Sequence, residues 1–188
     1  MNGQTQMKDV APPGHEAAKA QDAASLFRTH AGFVAAFLRR LGLHEGDVDD
    51  GVQEVFLIAH NKGGFTPGTA TAKSWLGAIA VRVAANSRRK RDRRREDGDS
   101  PALEMQVAEG NPEATVEQRQ SLVRVQRALG ELDAEHRAVF MLFELEGESC
   151  GAIANALGVP TGTVYSRLHT ARRRFTAAYE RLNAEGAA

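Results

Sequence analysis

One stretch limits the fold more than any other: from Ser149 to Phe175 the residues spell a short helix, a tight turn and a longer helix. Ser149 is a favoured helix-capping residue, Gly158 suits the left-handed position that ends a helix, and Thr161 is placed to cap the helix that follows. Pro160 disfavours running the first helix through the turn. Ala154 is small where two helices must approach closely, and Gly158 and Val164 follow at the spacing of a DNA-binding helix-turn-helix. An ordinary helical hairpin would tolerate a larger residue at 154 and would not need the second helix to be polar and cationic.

That second helix has a core stripe of Val164, Leu168, Ala171 and Phe175. Around it stand Thr163, Tyr165, Ser166, Arg167, His169, Thr170, Arg172, Arg173 and Arg174. Short polar groups suit base edges and guanidinium groups suit phosphates, so this face predicts a DNA contact. Taken alone, the Arg172 to Arg174 run could equally be a solvated helix end favoured by the dipole.

The rest of the chain is helical in pattern. Phe33, Val34, Phe37, Leu38 and Leu41 form one apolar stripe, Val52, Val55, Phe56 and Ala59 a second, and Trp75, Leu76, Ile79, Ala80 and Val83 a third. A glycine-rich loop around Phe65 separates the second from the third. Four more stripes follow between Leu122 and Phe175, and nothing alternates as a strand would. The fold class is therefore all-α, with two small helical domains joined by a flexible linker, the C-terminal one a helix-turn-helix. Residues 1–24 read as a disordered tail, 25–96 as the first domain, 97–117 as an acidic linker rich in turn formers, and 118–183 as the second domain.

Charge matters here through its distribution. The 24 Lys and Arg balance the 24 Asp and Glu, but residues 1–96 hold 15 basic and 10 acidic side chains against 9 and 14 in the remainder. Arg82, Arg88, Arg89, Lys90, Arg91, Arg93, Arg94 and Arg95 crowd the end of the first domain, a density that attracts a polyanion. Asp50, Gln53 and Glu54 share a helix face opposite Val52, Val55 and Phe56, suited to a basic partner. The lone Cys150 makes neither a disulfide nor a structural zinc site, which points to an intracellular chain. The expectation is neither metal nor cofactor, no catalytic residue and no membrane insertion: zincin, nucleophile-elbow and P-loop motifs are missing, as is an apolar run long enough to span a bilayer.

Taken together, these segments resemble an extracytoplasmic-function (ECF, group IV) sigma factor of bacterial RNA polymerase, over about residues 25–96 and 118–180. The family motif D-x-x-D-x-x-Q-E-x-F stands as Asp47, Asp50, Gln53, Glu54 and Phe56, and W-L-x-x-I-A as Trp75 to Ala80. The block from Leu132 to Arg137 through Ser149, then Ile153 to Arg172, is similar almost residue for residue to the family's second conserved region. The resemblance implies that residues 25–96 form sigma region 2, with Asp47, Asp50, Gln53 and Glu54 on the polymerase β′ clamp. Phe65, Ile79, Arg82, Asn86, Arg88 and Arg89 would take the −10 element and trap an unstacked base. Residues 118–183 would form region 4, meeting the β flap and the −35 element through Thr163, Tyr165, Ser166, Arg167, His169, Thr170, Arg172 and Arg173. Arg82 replaces the family's usual Asn and Ala72 a usual aromatic, so the promoter sequence does not transfer. The resemblance further implies core RNA polymerase and promoter DNA as partners, an anti-sigma factor as a third, and a cytoplasmic chain that joins the nucleoid when active or is tethered to the membrane through the anti-sigma factor. The competing readings are an autonomous dimeric helix-turn-helix regulator, which leaves the acidic face unused, and a nucleic-acid-modifying enzyme, which lacks its constellation.

Overall fold

The computed structural model describes residues 20–96 and 116–186; most of the expected tail and linker lies outside them. Among the described residues seven α-helices follow one another: α1 (Ala23–Arg40), α2 (Val48–Asn61), α3 (Ala72–Glu96), α4 (Val116–Gly130), α5 (Ala134–Phe140), α6 (Cys150–Leu157) and α7 (Thr161–Glu185). A 3-10 turn at Glu45–Asp47 leads into α2, and a π-helical turn at Met141–Leu145 extends α5. Among the described residues the sole strand-like feature is a bridge between Gln21 and Phe65. The all-α fold agrees with the apolar spacing.

Local chemistry sets the helix ends. Asp22 accepts from the Ser25 amide at 2.8 Å to start α1, and Asp133 does the same for His136 at the start of α5. Thr71 and Ser74 cap α3 reciprocally, each side-chain oxygen accepting from the other's backbone N–H at 3.0–3.1 Å. Ser149 caps α6 through the Ala152 amide, and Gly158 ends it at φ +69°, a left-handed residue as the sequence predicts. Thr161 departs from its expected role. It is the first residue of α7 and makes no capping bond; Pro160, with its fixed φ, precedes the helix, and its carbonyl accepts from the Thr163 amide at 2.9 Å.

Helices α1, α2 and α3 bury Leu26, Val34, Phe37, Leu38, Val55, Leu76, Ile79 and Val83 between them, the three stripes of the sequence. In the C-terminal half, α5, α6 and α7 close over Val139, Leu142, Ile153, Val164, Leu168 and Ala171. The two halves also share one apolar cluster, because α3 packs on α6 and α5. Gly77 permits this approach: a Cβ there would fall 2.8 Å from a terminal methyl of Leu142. Arg137, only 8% exposed, crosses the same boundary and donates to the carbonyls of Leu41 (3.0 Å), Gly130 (2.8 Å) and Leu132 (2.7 Å). The domains are thus linked by a packed seam as well as by the chain.

Candidate nucleic-acid interface

On α7 the core stripe fixes which side chains reach solvent. Val164, Leu168 and Ala171 are buried, so Tyr165 (61% exposed), Ser166, His169, Arg172 and Arg173 project outward, with Thr163, Arg167 and Thr170 at the margins. The turn from Gly158 to Pro160 leaves the first turns of α7 uncovered, as a helix bound for a groove requires. His169 is exposed, as its spacing predicts.

Acids that the sequence reading did not single out hold the cations of this face in position. Arg167 pairs with Glu135 of α5. Arg172 Nε lies 2.5 Å from Glu144 Oε1 and its guanidinium covers the Phe143 ring at 5.1 Å. Arg174 reaches Asp133 at 3.1 Å, leaving Arg173 without an ion pair among the described residues. Burial alone would raise the Asp133 carboxyl, but its bonds from His136 and the charge of Arg174 outweigh that and hold it below the usual range. Exposed pairs of this kind add little stability. Their effect is to limit the rotamers of long side chains that phosphates would meet.

The N-terminal domain offers two surfaces. Along α3, Arg82, Asn86 and Arg89 recur at i, i+4 and i+7 on an exposed face, and Arg88 is exposed beside them. Phe65 and Ile79, expected on the same surface, are 7% and 3% exposed and belong to the core. Phe65 packs on Trp75 with ring centroids 5.7 Å apart, and its backbone pairs with Gln21, so both apolar residues support the surface from beneath. This corrects the expectation that they face a base directly. For Ile79 the reason is its place on the core stripe of α3; for Phe65 it is that Gly63 and Gly64, both at positive φ, fold the loop back onto Gln21. Gly64 is obligatory there, since a Cβ would lie 2.3 Å from the Gln21 carbonyl oxygen.

The second surface is on α2, where Asp50 and Gln53 are exposed and Glu54 is half-buried. Asp47 stands apart from that trio, because its carboxylate accepts from Arg91 at 2.7 Å and ties α3 to the start of α2. Leu57, one turn on from Gln53 and Glu54, is 59% exposed, and Phe27 of α1 stands exposed above Phe56 with the two rings edge to face. Both add apolar area beside the acidic face, which the sequence reading had described by its polar and charged residues alone. No cluster of His, Cys, Asp or Glu among the described residues could hold a metal ion, and no described helix is long and apolar enough to cross a membrane. Cys150 is a buried free thiol at the start of α6.

An all-helical fold with a helix-turn-helix at one end and an acidic helix face beside a basic helix at the other defines a DNA-directed transcription protein with a second macromolecular partner. Residues 26–94 match Sigma-70 region 2, and residues 122–175 match Sigma-70 region 4. The chain is 33% identical to the ECF RNA polymerase sigma factor SigM of Mycobacterium tuberculosis over 84% of its own length and 77% of that protein. To SigL of the same species it is 33% identical over 85% and 90%. The fold resembles that of the sigma factor RpoE from Bartonella quintana, solved with the anti-sigma factor NepR, at a TM-score of 0.66 and 24% identity over 82% of this chain and 94% of that one. It also resembles CnrH, solved with the cytosolic domain of CnrY, at a TM-score of 0.58 and 26% identity over 84% and 87%. The chain belongs to the ECF sigma factors of bacterial RNA polymerase. It is an alternative sigma factor that directs RNA polymerase to promoters.

Proposed function

We infer that α7 reads the −35 element in the major groove while α3 takes the −10 element and α2 docks on the polymerase β′ clamp. The observation that carries this reading is the exposed polar face of α7, set opposite a buried stripe by the same register. Tyr165, Ser166, His169 and Thr170 face base edges; Thr163, Arg167, Arg172 and Arg173 face the phosphates beside them. On α3, Arg82, Asn86, Arg88 and Arg89 meet the displaced strand, held in place by buried Ile79 and Phe65. Asp50, Gln53 and Glu54 bind the clamp, with Asp47 orienting α2 through Arg91. Region 4 also meets the β flap. An anti-sigma factor as inhibitory partner is supported by the complexes in which the related folds were solved. The chain works in the cytoplasm and contributes binding and strand opening, while the polymerase supplies the chemistry.

Arg172→Ala should weaken binding to every promoter sequence alike, by roughly tenfold, and lower the salt slope by about one. Ser166→Ala and His169→Ala should instead change which −35 sequence is preferred. Binding of holoenzyme to a randomised −35 library at several salt concentrations separates the two behaviours. An Arg172 variant that altered base preference while keeping its salt slope would contradict the division.

A further inference from the structure

The outward side chains of α7 divide by chemistry along the helix. Tyr165, Ser166, His169 and Thr170 stand in its first turns, and of the arginines only Arg167 lies among them. Arg172 and Arg173 follow Tyr165 by seven and eight residues. That is roughly 10 to 12 Å along the axis, about the width of the major groove, so they meet phosphates at its edge rather than bases on its floor. Arg167 turns its guanidinium back onto Glu135 of α5, and its side chain is only 22% exposed. The groove floor is left to side chains without the paired donors that grip guanine O6 and N7, and without the amide that grips adenine.

Tyr165 is the large side chain with most to cover. It is 61% exposed, and among the described residues its ring meets no other ring and its hydroxyl no hydrogen-bond partner. Gly162 precedes it by three residues and Ser166 follows it, so the three are neighbours on the helix surface. Gly162 is exposed, and a Cβ there would meet nothing within 4 Å. A glycine inside a helix costs stability relative to alanine, and no protein atom requires this one. One edge of the Tyr165 ring therefore borders open space that a small apolar group can fill.

We propose that Tyr165 reads the −35 element through the 5-methyl group of a thymine packed on its ring beside Gly162, and that no guanine is gripped through paired N7 and O6 bonds. The proposal deepens the reading of α7 as the −35 helix and rests on it. Thymine alone among the bases presents an apolar group in the major groove. Glu135 and Glu144 support the choice by engaging Arg167 and Arg172, so that neither guanidinium is free to fork onto a guanine. Discrimination then comes from apolar contact and from single hydrogen bonds of Ser166, His169 and Thr170, while the arginines supply affinity at the phosphates.

The test uses holoenzyme and the −35 sequence that it binds most tightly from a randomised library. Deoxyuridine in place of one thymine removes the methyl and keeps every hydrogen-bonding group. Binding should fall about fourfold at the position under Tyr165, the effect of leaving one methyl-sized group unburied. Substituting 7-deazaguanine for the guanines of the element should change binding by less than about twofold. Tyr165→Phe should keep the difference between thymine and uracil and Tyr165→Ala should erase it, both with wild-type helicity because the side chain is exposed. A selected element without an A·T pair, equal binding of thymine and uracil templates at every position, a difference that survives in Tyr165→Ala, or one lost in Tyr165→Phe would overturn the methyl contact. A loss of about tenfold with 7-deazaguanine, the scale of a bidentate pair, would overturn the exclusion of guanine. Failure of the underlying reading gives a different result: holoenzyme footprints that leave the −35 region bare, or a library that yields no preferred −35 sequence.

Discussion

Arg137→Ala should destabilise the protein by about 3 kcal/mol, measured by urea or guanidinium unfolding of the full chain. Three carbonyls accept from this one guanidinium, and two of those bonds are buried. Desolvation, reinforced by the nearby charge of Arg88 and opposed by Asp133, pulls its pKa down to about 10, so it remains charged at neutral pH. The attraction between that charge and carbonyls around the ends of α1 and α4 offsets its burial. Removing it strands the acceptors and loosens the seam at once. Arg137→Lys keeps the charge but lacks the fork that spans several acceptors, so about half the loss should return. A loss under about 1 kcal/mol for the alanine variant would show that the carbonyls find water instead.

This residue also marks where sequence reasoning stopped. The helices, the glycine turn at Gly158 and the exposed face of α7 were legible because each follows from spacing within a few residues. The seam was not. Arg137 reads locally as one more cation in a helix, Gly77 as a weak point in α3, and Glu146 and Glu148 as turn residues; their partners across the seam are Leu41, Leu142, Lys73 and Thr71, all remote in sequence. The burial of Ile79 follows from its place in the third apolar stripe, but that of Phe65 was hidden for a related reason. The folding of the loop onto Gln21 that buries Phe65 depends on pairing between distant backbone groups, which residue type does not reveal. Conversely, the stripe of Asp50, Gln53 and Glu54 was legible from helical period alone, although Asp47 proved to belong to an ion pair with Arg91.

The largest functional effect is expected on that stripe. Reversing Asp50 and Glu54 together to Lys should weaken binding to core RNA polymerase by about 100-fold, because like charges brought together at an interface are strongly repelled. Neither side chain makes an ion pair among the described residues, so helicity and unfolding midpoint should stay close to wild type. Titration of labelled core enzyme gives the affinity, and circular dichroism checks the fold. Leu57→Ala offers a second arm, with a smaller loss that persists at high salt, since it removes apolar area rather than charge. Undiminished affinity in the reversed variant would place the clamp contact elsewhere.

The central claim is that this chain delivers polymerase to particular start sites by contacts at two spaced promoter elements. Transcription in vitro with core RNA polymerase, the purified protein and fragments of the source genome tests it most directly, by sequencing the 5′ ends of the RNA. The account predicts transcripts that depend on the protein, from templates sharing one motif near −35 and another near −10, lost when the spacing between them is changed by several base pairs. RNA starts that are identical with and without the protein would contradict it.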